Sequence, residues 1–172
     1  MINYDLKKIK ALIFDVDGVL SSATVSMDSE GQPLRTLNVK DGYAIQLACK
    51  MGLRVGIISG GKGDQIRRRY EYLHVPFIYL GSHYKTGNLE EIMKKTGILP
   101  EEILYMGDDI PDYEVMKLVG LPVCPADAAP EIRAISVYVS PFTGGNACVR
   151  DVIEQVMKAQ GLWMSDIIAF GW

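Results

Sequence analysis

Histidine and cysteine are nearly missing from this chain: two histidines and three cysteines occur among 172 residues. Cys49, Cys124 and Cys148 are odd in number, far apart and form no C-x-x-C pair. This argues against a disulfide framework and a thiolate zinc site, and a reducing cytosol is the simplest home. His74 and His83 lack metal-ligand spacing and read as structural or surface residues. No apolar run approaches the ~18 residues of a membrane span, and the polar first ten residues lack the apolar core of a signal peptide, so a soluble, unexported protein is expected. An excess of positive charge is lacking too. The 18 Lys+Arg stand against 21 Asp+Glu, a net charge of -3, which argues against nucleic acid as the main partner. Repeats, low-complexity stretches and linkers are also missing.

What is present is an ordinary packed composition, with 48% hydrophobic and 23% charged residues. A chain of this length buries about 70% of its unfolded surface around one core, so residues 1–172 are expected to form a single domain. Short apolar runs at 9–14, 53–59, 75–80, 103–107 and 121–124 have the pattern of strands buried on both faces. Helical spacing fills the intervals at 41–51, 63–74, 88–97 and 112–119, several closed by glycine. The alternation predicts an α/β fold: a Rossmann-like parallel sheet with helices on both faces and ligands beyond the C-terminal strand ends. Turn residues at 28–32 predict a β-hairpin, about 22–37, inserted after the first strand. A last helix is expected at about 147–160. The apolar tail that follows, about 161–172, is expected to cover its own domain or dock on a neighbouring subunit.

Asp15 and Asp17 follow the first strand at i and i+2, where both carboxylates approach any cation between them; a polar turn is the alternative. An EF-hand is excluded because Val19 and Ser26 stand where its loop needs oxygen ligands. Asp108, Asp109 and Asp112 follow the strand at 103–106, so two strands aim acids at one place. Such carboxylates repel unless a divalent cation is present, and oxygen-only ligands suit Mg2+. Asp112 alone would also serve at a helix N-terminus. Ser59, Gly60, Gly61 and Lys62 join a strand to a helix and offer N–H groups to a phosphate. The P-loop pattern fails there, because Gly63 stands where a Mg2+-ligating hydroxyl is needed. Lys85 follows the strand ending at Leu80, at the same edge. Arg67, Arg68 and Arg69 after the phosphate loop are candidate contacts for a substrate anion or a solvated helix face.

Taken in order, the Asp15 to Gly18 segment, Ser59-Gly60, Lys85 and the Gly107 to Asp112 segment resemble the four motifs of the haloacid dehalogenase superfamily of phosphohydrolases. The hairpin and the single helix and strand between Ser59 and Lys85 leave no room for a cap domain. Within the capless subgroup, Asp15 to Ser21, Asn38 to Tyr43, Gly107 to Asp109 and Val149-Arg150 after Gly144-Gly145 are similar to phosphatases of an eight-carbon sugar acid phosphate, 3-deoxy-D-manno-octulosonate 8-phosphate. The resemblance implies a cytoplasmic enzyme of lipopolysaccharide biosynthesis that is a Mg2+-dependent homotetramer, with hairpins at its centre and a neighbouring subunit helping to close the site. It also implies roles. Asp15 is the nucleophile, Asp17 the general acid and base, and Ser59, the Gly60 N–H and Lys85 hold the transferring oxygens. Asp15, Asp108 and the Asp17 backbone carbonyl hold Mg2+, supported by Asp109 and Asp112. Lys62 and Arg67 to Arg69 are candidates for the sugar-acid carboxylate.

The chain departs from that pattern at Asn146 and Ala147, where many relatives carry a charged residue and then glycine. A sister activity on nine-carbon sugar acid phosphates tends to place Glu where this chain has Gly61, which favours the eight-carbon substrate. Three further readings stand beside it: the nine-carbon phosphatase, a phosphoprotein phosphatase with an open site, and an oligomeric module without catalysis.

Overall fold

The computed structural model describes residues 1–172. Strand β1 (Ala11–Phe14) is buried on both faces, as an uninterrupted apolar run demands. Leu12 and Phe14 turn to one side of the sheet and Ala11 and Ile13 to the other, each side joining its own apolar cluster. A short hairpin follows, β2 (Ser26–Met27) against β3 (Pro33–Leu34), pairing Ser26 with Leu34 and Met27 with Pro33. Asp28 Oδ1 closes its turn by accepting from the Glu30 and Gln32 N–H groups at 2.9 and 2.8 Å.

Asn38 then caps helix α1 (Val39–Lys50), its Oδ1 accepting from the N–H groups of Lys40 and Asp41. The chain continues through β4 (Arg54–Ser59), α2 (Asp64–Tyr72), β5 (Phe77–Leu80), α3 (Lys85–Thr96), β6 (Ile103–Met106), α4 (Tyr113–Met116), β7 (Leu121–Cys124), α5 (Pro130–Ile135), β8 (Tyr138–Val139) and α6 (Cys148–Ala159).

The six-stranded sheet has the order β5-β4-β1-β6-β7-β8 and is parallel throughout. One face packs on α1, α2 and α6, and the other on α3, α4 and α5. The chain moves outward from β1 through β4 to β5 and then returns to the opposite side of β1 as β6. This reversal opens a crevice beyond the C-terminal ends of β1, β4 and β6. No helix is long and apolar enough to cross a membrane.

The expected alternation holds, with differences at the ends. Helix α3 starts at Lys85, three residues before its apolar period becomes visible, because Lys85, Thr86 and Gly87 carry no apolar spacing. The helix expected at 112–119 is a 3-10 turn, Ile110–Asp112, followed by the four residues of α4. Short α5 and two-residue β8 lack the length that periodicity needs.

The tail covers its own subunit in part: Leu162 and Trp163 pack on the core and Ala169 is buried. Tyr43 Oη donates to the Ala169 carbonyl, while the Arg150 guanidinium lies 4.4 Å from the Trp163 ring centre. Ile167, Phe170 and Trp172 stay exposed. Ala147 adopts φ 74 before α6, the left-handed region a glycine would enter freely.

The loop before α6 supports the turn after β1. Gly145 N–H donates to the Val19 carbonyl at 2.8 Å, and a Cβ on Gly144 would overlap the Gly18 backbone. Gly144→Ala must therefore move one of two backbones, an overpacking cost of about 1–3 kcal/mol. For a chain of this size that lowers Tm by roughly 3–10 °C in a thermal melt. Gly87→Ala, on an exposed helical position with open space around it, should raise Tm slightly.

Candidate active site and metal centre

Four loops leave the C-terminal edge of the sheet side by side, because β5, β4, β1 and β6 are neighbours. Asp15, the first residue after β1, is 7% exposed, and its N–H donates to the Met106 carbonyl of β6. That bond ties the first acidic loop to the second. Asp15 Oδ2 lies 2.9 Å from Lys85 Nζ, and the same nitrogen donates to Asp112 Oδ1 at 2.7 Å.

Asp112 is fully engaged. Its Oδ1 also accepts from the buried Tyr105 hydroxyl at 2.7 Å, and its Oδ2 accepts from the Asp108 N–H at 3.2 Å. Oxygens of Asp15, Asp108 and Asp112 lie within 4.8 Å of one another. A Cβ at Gly18, whose φ is +81, would overlap the Asp108 carboxylate, so glycine lets the two acidic loops meet.

This crowding shows in the acidities. Burial, then the charge of Asp112, pushes Asp15 up to about 7 despite the pull of Lys85. Burial, then Asp15, Asp112 and Asp109, pushes Asp108 up to about 8. Burial opposes the charge on Lys85, but Asp15 and Asp112 together hold it above its ordinary value.

The donor set fits a hard divalent cation. It is made of carboxylates, and Asp15 Oδ1 is buried with no partner in the protein. Asp15 and Asp108 have oxygens to offer, whereas those of Asp112 are already bonded, so Asp112 orients the other groups. Asp109, exposed on the rim, adds charge. Asp17 sends its carboxylate away from this cluster: Oδ1 and Oδ2 accept from Arg35 Nε and Nη2 at 2.6 and 2.9 Å.

Ser59, Gly60 and Gly61 line the opposite wall of the recess, which encloses about 510 Å³. Ser59 Oγ accepts from the Gly61 N–H at 3.1 Å, while the Ser59 and Gly61 carbonyls accept from Ser82 and Gly81. These bonds lock the loops after β4 and β5 together. Ser82 and His83 join the lining, a position for His83 that its isolated place in the sequence does not disclose.

The other expected cations lie outside this subunit's recess. Lys62 folds over Gly81, Arg67 faces Glu71 at 3.8 Å, Arg68 is exposed, and Arg69 lies against Gly42 of α1. Arg69 also lines the cavity under the hairpin, and Arg67 lies beside Phe77 and Tyr79 of β5. A cation not expected here, Arg35, lines the cavity under the hairpin and reaches the recess only through its fork on Asp17. The hairpin arm has no period to expose it, and its one signal is that Arg35 is the only charge between Glu30 and Lys40.

Comparisons with known proteins agree with this geometry. A family model described as haloacid dehalogenase-like hydrolase matches residues 71–153. The 3-deoxy-D-manno-octulosonate 8-phosphate phosphatase KdsC of Escherichia coli K12 is 38% identical over 155 residues, covering 90% of this chain and 82% of the relative. A crystal structure of the Yersinia pestis phosphatase of that name superposes with a TM-score of 0.88 at 34% identity, covering 92% of this chain and 85% of the other. That from Moraxella catarrhalis, in complex with a magnesium ion, a phosphate ion and a KDO molecule, gives 0.90 at 33% identity, covering 97% and 96%. The order of the four loops, the carboxylates they gather and these likenesses together show that the chain belongs to the haloacid dehalogenase-like hydrolases, in the capless family of the 3-deoxy-D-manno-octulosonate 8-phosphate phosphatases.

Proposed function

We propose that the protein is a Mg2+-dependent phosphatase that hydrolyses 3-deoxy-D-manno-octulosonate 8-phosphate to the free sugar acid and phosphate, in the cytoplasmic synthesis of a lipopolysaccharide sugar. The observation that carries this is the Lys85 ammonium held between Asp15 and Asp112 beside Asp108, at the mouth of a recess whose far wall is Ser59-Gly60. Family membership and Gly61, which leaves the eight-carbon pattern intact, support the substrate over its nine-carbon relative.

Asp15 attacks phosphorus in line, forming a bond from a carboxylate oxygen to phosphorus as the bond to the sugar oxygen breaks. Lys85 fixes the attacking carboxylate and, with the Ser59 hydroxyl and the Gly60 N–H, holds the phosphoryl oxygens. For the acid role the Arg35 fork on Asp17 must open at one oxygen, which then carries the proton given to the departing sugar oxygen and takes one back from the water that attacks the phospho-aspartate and frees Asp15 with inorganic phosphate. Asp15 and Asp108, with the Asp17 carbonyl, would hold the Mg2+. When bound, the ion offsets the repulsion between the carboxylate and the phosphate dianion.

A tetramer fits the surface. Met27, Leu34, Leu37 and Val39 on and beside the hairpin are 66%, 54%, 58% and 65% exposed, an apolar group that a second copy would cover.

Phosphate release from the eight-carbon ester should exceed that from a nine-carbon sugar acid phosphate or a phosphopeptide in kcat/KM, and a chelator should abolish it. Asp15→Asn keeps the shape and removes the anion, so activity should fall by roughly three orders of magnitude or more with the melt unchanged or improved. Retained turnover would refute the nucleophile.

Thermal melts across pH test the metal centre. With folded values of about 7 and about 8 against the ordinary 3.8, Asp15 and Asp108 hold protons in the folded chain that the unfolded chain has released. Metal-free stability therefore falls as pH rises from 3.8 toward 8. Mg2+ must displace those protons, so it should raise Tm more at about pH 8 than at about pH 5. The reverse order would remove Asp15 and Asp108 as ligands.

Sedimentation should give the mass of four subunits, and Met27→Asp with Leu34→Asp should yield a smaller species. A monomeric wild-type protein would overturn the tetramer.

A further inference from the structure

Asp41 is a buried acid that the chemistry above does not use. It lies in the first turn of α1, 1% exposed, and its Oδ1 accepts from the Arg150 N–H at 2.6 Å. Its Oδ2 is buried with no hydrogen-bond partner. No cation pairs with it, because the Arg150 guanidinium turns to Glu154 at 2.7 Å. Two further titratable groups feel its charge, Cys148 of α6 and Tyr70 of α2, and Arg69 of α2 lies against the adjacent Gly42. Burial pushes Asp41 up to about 6, although the N–H groups of Arg150 and Ala147 and the Arg150 charge pull the other way.

An unpaired buried carboxylate is destabilising, and asparagine would offer Arg150 the same acceptor without the charge. What the charge adds is a stronger hold on the start of α6. No side chain of α6's own loop caps that helix, and a negative charge there meets the helix dipole.

From that point contacts run to the acidic cluster. The Gly145 N–H and the Cys148 thiol both donate to the Val19 carbonyl, at 2.8 and 3.2 Å. The Gly145 carbonyl accepts from Asn38 Nδ2 at 3.1 Å, and the Gly144 N–H donates to Asp127 Oδ1 at 2.9 Å. Gly144 has no room for a Cβ over the Gly18 backbone, and Gly18 has none against the Asp108 carboxylate. Residues 144–148 thus lie between the start of α1 and the turn that carries Asp17 and Gly18.

We propose that Asp41 is a positioning residue for the metal centre: its anionic carboxylate pins the first turn of α6 and, through residues 144–148, fixes the Val19–Gly18 turn against Asp108. This rests on the phosphatase reading above. The charge weakens the fold and in exchange keeps the two acidic loops at the separation that a divalent ion needs.

The test is calorimetric Mg2+ binding and thermal melts of the full chain, wild type against Asp41→Asn. The variant should bind Mg2+ about threefold to thirtyfold more weakly, the size of coupling carried through packed neighbours. It should nevertheless melt no lower than the wild type at about pH 8, because asparagine imitates the protonated acid. Asp41 titrates at about 6 in the folded chain against the ordinary 3.8, so wild-type stability falls relative to the variant as pH rises through that interval. The Tm difference, variant minus wild type, should therefore be larger at about pH 8 than at about pH 5. Mg2+ affinity equal to that of the wild type overturns the proposal. A lower Tm for Asp41→Asn at about pH 8, or failure to fold, marks a merely structural carboxylate and overturns it too. A wild-type chain that takes no Mg2+ leaves nothing for Asp41 to position, with the same result. If the wild type binds Mg2+ but does not cleave the eight-carbon ester, the phosphatase reading fails separately, and the Mg2+ comparison still decides Asp41.

Discussion

A lysine ammonium shared between two buried carboxylates is the interaction on which the rest of the site depends. Asp15 and Asp112 repel each other across a space from which water is largely excluded, and Lys85, itself 5% exposed, separates them with bonds of 2.9 and 2.7 Å. Removing Lys85 would leave two facing buried carboxylates without a cation, the costly outcome for such groups, typically about 3–5 kcal/mol, whereas loss of the Asp15 charge leaves Lys85 and Asp112 as a neutral pair. The fold serves this contact. Strands β1 and β6 are adjacent, so their following acids meet, and α3 begins at Lys85, which places the ammonium where the first helical turn faces the strand ends.

Backbone support carries the arrangement outward. Tyr105 is the third residue of β6, and its hydroxyl reaches Asp112 from inside the sheet's second apolar cluster. Burial, then the charges of Asp112 and Asp15, makes that hydroxyl far less acidic than usual, so it keeps its proton and acts as a fixed donor. On the other face, buried Asp41 of α1 accepts from the Arg150 N–H at the start of α6, and the loop leading into α6 rests on the turn that carries Gly18. The edge that carries the acidic cluster is thus held by both helical layers, although its carboxylates come from loops.

Much of this was legible in the sequence because it is local. Buried strands announce themselves by unbroken apolar runs, and acids or hydroxyls placed directly after such runs emerge at one edge of a parallel sheet. Asp15, Asp108, Ser59 and Lys85 were all found that way, and the structure gathers them. Elements that escaped notice are those too short for a period, α5 and β8, and the true start of α3, where Lys85-Thr86-Gly87 carries no apolar signal. Arg35 escaped for a different reason. Its partner Asp17 is 18 residues away across a hairpin, and no rule of spacing links an arginine on an irregular arm to a carboxylate after a strand. Conversely Arg67 to Arg69, conspicuous as a run, occupy consecutive helical positions that point in three directions, and none lines the chain's own recess.

The charge balance of the recess explains why an acidic protein can take an anionic substrate. Five carboxylates, from Asp15, Asp17, Asp108, Asp109 and Asp112, border it, with Lys85 and Arg35 as the cations in contact with them. Fully ionised, that set leaves three negative charges facing a phosphate dianion. Burial, and then this excess of negative charge, raises the pKa of Asp15 to about 7 and of Asp108 to about 8, so both carboxyls hold protons that a divalent ion would have to displace. Metal and protons would therefore compete for the same oxygens, and the carboxylate proposed as the nucleophile would be left as an anion where the ion replaced the proton. Arg35 sits on Asp17, away from this exchange, and compensates an acid whose side chain is not among the ion's proposed ligands.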